Sequence, residues 1–468
     1  MTRVGLVVHG HPPELVGGTE RLVAALGQSL VASGETVEVF SGSIDWKPER
    51  AVVRDESGPV PVVRFHRSDL FFERWDKLEN PHVEQAFADW LNAFKPDIVH
   101  VHHWARLTTT LVRTASSCGI PVVLSLHDLF ASCPRYHRVR EEGEFCAVPP
   151  SVEACLHCAP RWKFQGDAEV GASLEMFVED LRQEVTAASA LVAPTEGHGK
   201  RIMKWLGIDK PIHAIPPAGS TLSQPATLPL ADRVASAIDP MRVGFFGHLH
   251  PLKGIEVLLD AQAALSDPDC VELHVWGEAP DDKMTAEVRS HAGGRKVVWH
   301  GAYQPEDLAG APIDVAVLPT LCAESYSFTL DEAASLEVPI VATDLGALAD
   351  RATERMTLFT RGDVQALAGS LLRLAQEPGV RASMRAAPGP RTRAGGDHLD
   401  SLRSLYKEVL AAPKPAVSGL DLSALGRRTH AFDLREAGLQ ELLRGEGWES
   451  VVEGLQDKVS ELRGRLEG

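Results

Sequence analysis

The sequence predicts an α/β protein with two doubly wound domains, each a parallel sheet covered by helices, followed by a helical tail. Short apolar runs alternate with helix-like patterns over about the first 210 residues. The same alternation starts again after a proline-rich stretch at residues 215–228. Strands that alternate with helices at this spacing form βαβ crossovers and parallel sheets. A chain of 468 residues is long enough for two or three such domains.

The first series begins with the apolar run at residues 4–8, which predicts a buried strand. Residues 20–33 carry apolar side chains at helical spacing and end at Gly34, and residues 36–40 return as a strand. The unit then recurs as a helix at 83–94, a strand at 98–102, a helix at 108–117 and a strand at 122–126.

The second series follows the linker-like composition at residues 215–228. Its predicted elements are a helix at 255–265 and strands at 242–246, 271–276, 297–299, 315–318 and 339–343. We therefore expect an N-terminal domain over residues 1–215 and a C-terminal domain over residues 240–395, facing each other across a cleft. Ligands of such sheets bind outside the carboxyl ends of the strands.

The last part of the chain differs from the two domains. We expect residues 396–412 to form a helix that closes the globular body and residues 413–468 to form a helical tail. Apolar residues recur at heptad spacing at Trp448, Val452, Leu455, Val459, Leu462 and Leu466. Two interpretations stay open: an amphipathic helix that packs on the main body, or a coil used for self-association or partner binding.

The charge balance and the apolar segments exclude several classes of function. Lys and Arg number 47 against 64 Asp and Glu, which gives a formal charge of −17 and disfavours nucleic acid as a partner. The N-terminal apolar run is too short for a secretion signal, and no apolar segment approaches 18 residues, so we expect no transmembrane segment. We expect a cytoplasmic protein; aromatic and basic residues at 65–75 leave a peripheral position on the inner face of the membrane open.

The segment from Glu324 to Glu332 carries the strongest functional signal. It follows the strand at 315–318 and opens a helix, so that residues 327–329 fall in the first helical turn. Unpaired N–H groups and the positive end of the helix dipole favour an anion there. The two carboxylates bracket that turn and can accept hydrogen bonds from paired sugar hydroxyls. Ordinary capping by serine and acidic residues is the alternative explanation.

Three further candidate binding segments follow predicted strands. Gly247 makes a turn that leads to Lys253, and a close backbone with a point charge suits a phosphate. Gly17 and Gly18 precede the first helix and let a phosphate or sugar approach the backbone, although a flexible loop with positive φ explains them equally well. His127, followed by an aspartate, lies at the carboxyl end of a strand, where side chains face a ligand.

Taken together, these segments resemble the large family 4 of retaining glycosyltransferases. The matching elements are, in chain order, Gly17-Gly18 with Glu20, residues 97–102, His127-Asp128, residues 191–195, residues 216–219, Gly247 to Gly254, residues 314–319, Glu324 to Glu332, and residues 339–343 with Gly346. The resemblance covers about residues 1–412. It implies the GT-B architecture of two facing Rossmann-like domains.

The resemblance also implies a nucleotide-diphosphate sugar donor, UDP- or GDP-linked, with no catalytic divalent metal. In this family Glu324 would bind donor-sugar hydroxyls and Glu332 the nucleotide ribose. The amides of Ser327, Phe328 and Thr329 would hold the diphosphate. The reaction of this family is usually described as attack by the acceptor on the same face of the sugar, with the leaving phosphate helping to remove the acceptor proton. No carboxylate nucleophile is then required.

The remaining site residues are also implied by the resemblance. Lys253 and the loop of Gly17 and Gly18 would help to hold the diphosphate, and His127 would lie beside the reacting sugar, which makes His127 and Glu324 the expected catalytic residues. Two positions depart from the family pattern. His248 stands where an arginine is common beside the diphosphate, and Ser327 stands where glycine is usual.

The expected function is therefore retaining transfer of a sugar from a nucleotide-diphosphate donor to a glycan, a lipid-linked acceptor or a small molecule, as in polysaccharide biosynthesis. Two alternatives keep the fold. One is a sugar-nucleotide epimerase of the GT-B type, and the other is a non-catalytic assembly protein that binds a sugar nucleotide.

Four of the seven cysteines lie within 26 residues, in an expected loop at 133–160. They are Cys133, Cys146, Cys155 and Cys158. A Cys-x2-Cys pair with two more thiols nearby is typical of structural zinc, and some members of family 4 carry a similar insertion. We expect a zinc ion that orders the loop, because a long loop buries too little apolar surface to order itself. The role would be structural, since four protein ligands leave no open position for catalysis. A [4Fe–4S] cluster has the same ligands, and four unrelated thiols are the third interpretation.

Overall fold

The structure is a computed structural model that describes residues 1–162, 165–217, 240–279, 281–391 and 395–445. Its strands form two sheets, one of eight strands and one of six. The predicted architecture of two parallel-sheet α/β halves is confirmed. Most of the predicted linker and all heptad residues from Trp448 onward lie outside the described residues.

The first sheet belongs to the N-terminal series. Its strands are β1 (Arg3–Val8), β2 (Thr36–Gly42), β3 (Ala51–Asp55), β4 (Val62–His66), β5 (Ile98–Val101), β6 (Val122–Ser125), β7 (Ala190–Ala193) and β8 (Ile212–Ala214), in the order β3-β4-β2-β1-β5-β6-β7-β8. The helices of this series are α1 (Gly18–Ala32), α2 (Pro81–Phe94), α3 (Leu111–Ser117), α4 (Val152–Cys155), α5 (Asp167–Ala187) and α6 (Glu196–Leu206).

Strand β1 lies inside this sheet because its side chains are apolar on both faces. It pairs in parallel with β2 and β5, and Val4, Leu6 and Val7 are fully buried. Edge strand β3 pairs antiparallel with β4, and the sequence analysis does not predict it. Val52 and Val53, adjacent in β3, are both exposed, so this strand lacks the buried pattern on which the prediction of strands depends.

The second sheet belongs to the C-terminal series. Its strands are β9 (Met241–Phe246), β10 (Val271–Trp276), β11 (Val297–Gly301), β12 (Val315–Leu318), β13 (Ile340–Thr343) and β14 (Met356–Phe359), in the order β11-β10-β9-β12-β13-β14. The helices that follow in the chain are α7 (Ile255–Ala263), α8 (Asp282–Ala292), α9 (Phe328–Ser335), α10 (Ala347–Asp350), α11 (Val364–Gln376) and α12 (Pro378–Ala386).

The strand order of the second sheet fixes where a ligand can bind. The chain runs outward from β9 to β10 and β11 on one side, and from β12 to β13 and β14 on the other. Neighbouring strands β9 and β12 are therefore followed by connections that diverge, which opens a crevice at their carboxyl ends. Apolar clusters cover both faces of the sheet, with Phe245 and Leu258 in one cluster and Phe246 and Leu330 in the other.

The chain divides into two compact units. The first contains residues 1–123, residues 183–189 and the chain from residue 412 onward, and the second contains residues 124–182 and 190–411. The domain boundaries predicted from the sequence remain predictions. The second unit contains the cysteine-rich loop and the whole six-stranded sheet.

Two helices end the described chain, α13 (Gly395–Ala411) and α14 (Leu422–Gly445). Helix α14 packs against α2 of the first unit, where it buries Leu425 and Phe432. The Arg428 guanidinium donates to the Glu84 carboxylate at 2.8 Å. The described part of the tail is therefore a helix that packs on the first unit, whereas both interpretations of the heptad residues stay predictions.

No helix among the described residues is long and apolar enough to cross a membrane. The cytoplasmic location and the peripheral membrane position stay predictions.

Candidate functional site

The segment with two glutamates forms a tight turn followed by α9. Ser327 precedes the helix with a φ of 69°, in the left-handed region that favours glycine. Its hydroxyl lies 3.1 Å from the hydroxyl of Thr329 in the first helical turn. The conformation gives a physical reason for the glycine that is usual at this position in family 4, because serine carries a steric penalty there.

Arg351, which the sequence analysis does not select, holds this turn in place. Its guanidinium donates to the carbonyl oxygen of Tyr326 at 2.8 Å and to that of Ser327 at 3.3 Å. It also stacks 4.3 Å from the centre of the Tyr326 ring and pairs with the buried carboxylate of Asp331. These contacts stabilise the strained backbone just before the free N–H groups of α9.

Lys253 and Glu324 form an ion pair, with 2.6 Å between Nζ and Oε1. Burial disfavours the charged ammonium, but the Glu324 carboxylate outweighs this effect and raises the pKa of Lys253. A close backbone approach brings the two residues together, since a Cβ on Gly254 would lie 2.0 Å from the carbonyl oxygen of Pro319. The sequence predicts both charged residues but not their pairing.

Glu332 lies inside α9 and is only 6% exposed. Its Oε2 accepts a hydrogen bond of 2.7 Å from the hydroxyl of Tyr303. Burial, followed by the neighbouring Glu332 carboxylate, raises the pKa of Tyr303, so the phenol stays protonated and donates. Tyr303 is a second residue that the sequence analysis misses; its only signal is its position two residues after β11.

The turn after β9 lies close to the start of α9. The N–H of Gly247 donates to the carbonyl oxygen of Trp276 at 3.1 Å, and a Cβ on Gly247 would lie 3.4 Å from Cγ2 of Thr329. His248, the next residue, is exposed. The structure thus groups the turn at Gly247, the Lys253–Glu324 pair and the start of α9 around the carboxyl ends of β9 and β12.

The other predicted site residues belong to the eight-stranded sheet. His127 is half-buried and follows β6. In the first unit, Gly17 precedes α1 with a φ of −112°, so the alternative of a positive φ is wrong for this residue. A Cβ at this position would lie 2.5 Å from a carboxylate oxygen of Glu20, so a larger residue would displace that carboxylate. Gly18 is the first residue of α1.

Glu20 is held by a buried histidine that the sequence analysis does not select. Nε2 of His9 lies 2.8 Å from Oε1 of Glu20, and the His9 ring packs 4.4 Å from that of His103. Burial, together with His103, lowers the pKa of His9 to about 4. At neutral pH a neutral His9 therefore donates to the Glu20 carboxylate and fixes it at the start of α1.

The four clustered cysteines line one cavity of about 20 Å³ in the second unit. All seven cysteines are described, and none is paired in a disulfide. Burial raises the pKa of Cys133 to about 11 and also raises those of Cys155 and Cys158. Within the described residues no group of three or more His, Cys, Asp or Glu side chains is placed to hold a metal ion. The predicted zinc site therefore stays a prediction.

Arg138 joins the two sides of the cysteine-rich loop. It is 2% exposed, and its guanidinium donates to the carbonyl oxygens of Ser132 at 2.6 Å and Cys146 at 2.9 Å, and also to that of Val148. The guanidinium lies 3.9 Å from the centre of the Trp205 ring. One of its N–H groups points to Sγ of Cys146 at 3.8 Å.

The groups around β9 and β12 match the needs of a phosphorylated sugar. The first turn of α9 offers N–H groups and a positive dipole end, and Lys253 adds a cation. Glu324 and Glu332 supply acceptors for hydroxyl groups on either side of that turn.

Comparison with known families supports this assignment. The model of Glycosyltransferase Family 4 matches residues 16–218, and the model of Glycosyl transferases group 1 matches residues 240–377. A D-inositol 3-phosphate glycosyltransferase of Acidothermus cellulolyticus is 25% identical over 465 residues, which cover 91% of this chain and 94% of that protein.

Two solved structures share the fold at low sequence identity. HepE of Anabaena in complex with UDP has a TM-score of 0.56 and 15% identity, over 88% of this chain and 100% of that one. The UDP-forming α,α-trehalose-phosphate synthase of Burkholderia xenovorans, in complex with glucose-6-phosphate, has a TM-score of 0.57 and 13% identity over the same shares.

Proposed function

Because this chain belongs to the family 4 glycosyltransferases and uses a nucleotide-sugar donor, we propose that it transfers a hexose from a UDP-linked donor with retention of configuration. The observation that carries this proposal is the start of α9, flanked by the Lys253–Glu324 pair and by Glu332. A positive helix end and a lysine suit a diphosphate, and the two carboxylates suit the hydroxyls of sugar and ribose.

In this proposal each residue has one role in donor binding. The N–H groups of Ser327, Phe328 and Thr329 bind the diphosphate. Glu332 accepts a ribose hydroxyl in place of, or beside, the hydroxyl of Tyr303 at 2.7 Å. Lys253 leaves Glu324 to bind the diphosphate, which frees the Glu324 carboxylate for the sugar hydroxyls.

The reaction breaks the bond between the anomeric carbon and the phosphate oxygen and forms a bond from the same carbon to the acceptor oxygen. The proton of the acceptor hydroxyl passes to the leaving phosphate. Negative charge grows on that phosphate as the bond breaks, and the N–H groups of α9 together with Lys253 stabilise it. In this proposal His127 lies beside the reacting sugar and His248 beside the diphosphate.

Two similar proteins suggest which class of acceptor to test first. The similar curated protein glycosylates D-inositol 3-phosphate, and the trehalose-phosphate synthase structure holds glucose-6-phosphate. We propose a hydroxyl-bearing small molecule or glycan, with a sugar or polyol phosphate as the first acceptor class to test.

A panel of nucleotide sugars tests the function. We expect release of UDP from a UDP-hexose when acceptors are supplied, and a loss of about 100-fold or more in kcat/KM for Glu324→Gln, because a donor contact at the reacting sugar is removed. Glu287→Gln is the matched control, since Glu287 makes an exposed lysine pair on α8.

Two results would contradict the proposal. One is the absence of nucleotide binding and release with every donor tried. The other is an epimerised nucleotide sugar formed without any acceptor. Retention is checked separately by the anomeric coupling constant of the product in NMR spectra.

We propose further that Cys133, Cys146, Cys155 and Cys158 bind one structural zinc ion. The four thiols border the same cavity of about 20 Å³. N–H groups of Arg138 and Arg140 point to Sγ of Cys146 at 3.8 and 4.0 Å, as expected around a negatively charged thiolate site. Four thiolates would give the closed tetrahedral set that zinc takes in structural sites.

Metal analysis of the purified protein tests the zinc site. We expect one zinc per chain and loss of that metal in Cys155→Ser with Cys158→Ser. The pair Cys118→Ser with Cys270→Ser is the control, because both residues lie outside the loop. Iron with sulfide in place of zinc, or a chain without stoichiometric metal, would contradict it.

A further inference from the structure

The cysteine-rich loop contains a short hairpin. Val139 and Phe145 pair in an antiparallel bridge, and the N–H of Arg140 donates to the carbonyl oxygen of Glu144 at 2.8 Å. The N–H of Gly143 closes the tip by donating to the carbonyl oxygen of Arg140 at 3.0 Å. Arg138, buried at the base of this hairpin, fixes the direction in which the tip projects.

Arg361 bridges this tip to the loop that follows β12. Its guanidinium donates through one nitrogen to the carbonyl oxygen of Gly143 and through Nε to that of Leu321 at 2.6 Å. Its own backbone N–H donates to Oδ1 of Asp344 at 3.3 Å, which fixes the start of the side chain. The planar guanidinium thus holds two carbonyl groups that are far apart in the sequence.

Leu321 is the link to the donor-binding residues. Its carbonyl is held by Arg361, while its N–H donates to the carbonyl oxygen of Leu252 at 2.7 Å. The hydroxyl of Thr320 donates to the same Leu252 oxygen at 3.0 Å. Leu252 directly precedes Lys253, and Leu321 lies three residues before Glu324, so the backbone of one residue, Leu321, links the segments that carry both partners of the ion pair.

We propose that Arg361 is a positioning residue through which the cysteine-rich loop sets the donor-binding geometry of Lys253 and Glu324. The inference rests on the proposed function of that pair in donor binding. Neither Arg361 nor the hairpin tip touches the donor in this proposal. The loop acts at a distance, because the tip carbonyl holds Arg361 in the position in which Nε reaches Leu321. Order in the cysteine-rich loop and affinity for the donor are therefore coupled.

The coupling is tested with variants at both ends of the bridge. Arg361→Ala removes the bridge, and Gly143→Pro removes the N–H that closes the tip. We expect each to weaken binding of UDP, and to raise the KM for the donor, by about tenfold, the effect of losing a charged hydrogen bond. The combined variant should bind no more weakly than Arg361→Ala alone, since both changes break one path.

Conservative and control variants separate positioning from general damage. Arg361→Lys keeps the charge but lacks the fork that reaches two carbonyls, so it should behave as Arg361→Ala. Arg373→Ala, in an exposed ion pair on α11, and Gly293→Pro, which removes a similar turn N–H at the end of α8, should bind UDP as the unchanged protein does.

The outcomes are distinguishable. If the unchanged protein binds no nucleotide, the proposed function fails. If it binds UDP and Arg361→Ala or Arg361→Lys binds equally well, with an intact circular dichroism spectrum and melting temperature, the function stands and this inference is overturned. Independent losses that multiply in the combined variant would also overturn it, because the loop would then act by another route.

Discussion

Ser327 adopts a backbone conformation that the turn before α9 imposes and that favours glycine. Ser327 has the left-handed φ of 69° at the turn into α9, and Arg351 stabilises this backbone by binding the carbonyl oxygens of Tyr326 and Ser327. The sequence reveals this position as a departure from a family pattern. The reason for the pattern is visible only in the backbone.

We predict that Ser327→Gly raises the free energy of unfolding by about 1 kcal/mol, because glycine has no steric penalty at positive φ. Ser335→Gly, at the end of α9, is the control and should lower it by about the same amount. Denaturation by urea, followed by circular dichroism, measures both. A decrease of similar size in the two variants would contradict the prediction.

Helix α14 lies in the predicted helical tail, before the heptad residues. In the structure it buries Leu425 and Phe432, whereas Leu434 is 61% exposed. An ion pair between Lys77 and the buried Glu436 adds a polar contact to the apolar one. The sequence analysis does not single out this helix, and its partner surface comes from α2, more than 300 residues earlier.

Phe432→Ala should detach α14 while the rest of the chain stays folded. Truncating a buried phenylalanine removes about 3 kcal/mol or more, which is a large part of what one docked helix gains. Hydrogen exchange followed by mass spectrometry should show faster exchange over residues 422–445 and unchanged protection in α2. Leu434→Ala, on the exposed side, should leave the exchange unaltered. Equal exchange in the two variants would show that the apolar contact does not hold the helix.

At the scale of the whole molecule, buried histidines contribute to the response to acid. Burial, followed by Arg201, lowers the pKa of His198 to about 4, while Asp128 and Asp350 oppose this shift. His9 in the first unit has a pKa of about 4 for a similar reason. A histidine whose pKa is lower in the folded state stabilises the fold above its ordinary pKa, near 6.5, and this stability is lost as pH falls towards 4.

We predict that the unchanged protein loses stability between pH 7 and pH 4 and that His198→Gln loses less. Between pH 7 and pH 4 the unchanged protein should lose about 3 kcal/mol more of its free energy of unfolding than His198→Gln, since each pKa unit is worth about 1.4 kcal/mol. Thermal unfolding at stepped pH measures it. Parallel pH profiles for the two proteins would contradict the assignment of a neutral buried His198.

Much of the fold and part of the site follow from local sequence. Sequence periodicity predicts four of the eight strands of the first sheet and five of the six strands of the second, because burial on one or both faces of a strand follows its two-residue repeat. Glu324, Ser327, Lys253 and Glu332 are predicted because each lies at a strand end or helix start, where parallel sheets place ligand-binding groups. Strands β3, β4, β7, β8 and β14 were not predicted, and β3 is an exposed edge strand that lacks that periodicity.

The sequence by itself predicted two α/β domains, charged residues at strand ends and helix starts, and a cluster of four cysteines. Only the tertiary structure decided that Lys253 pairs with Glu324, 71 residues away, and that Tyr303, Arg351 and Arg361 complete the surroundings of α9. The physical reason is the range of the contacts. Periodicity and capping act within a few residues of the chain, whereas a guanidinium that holds distant carbonyl groups leaves no repeating signal in the sequence around it.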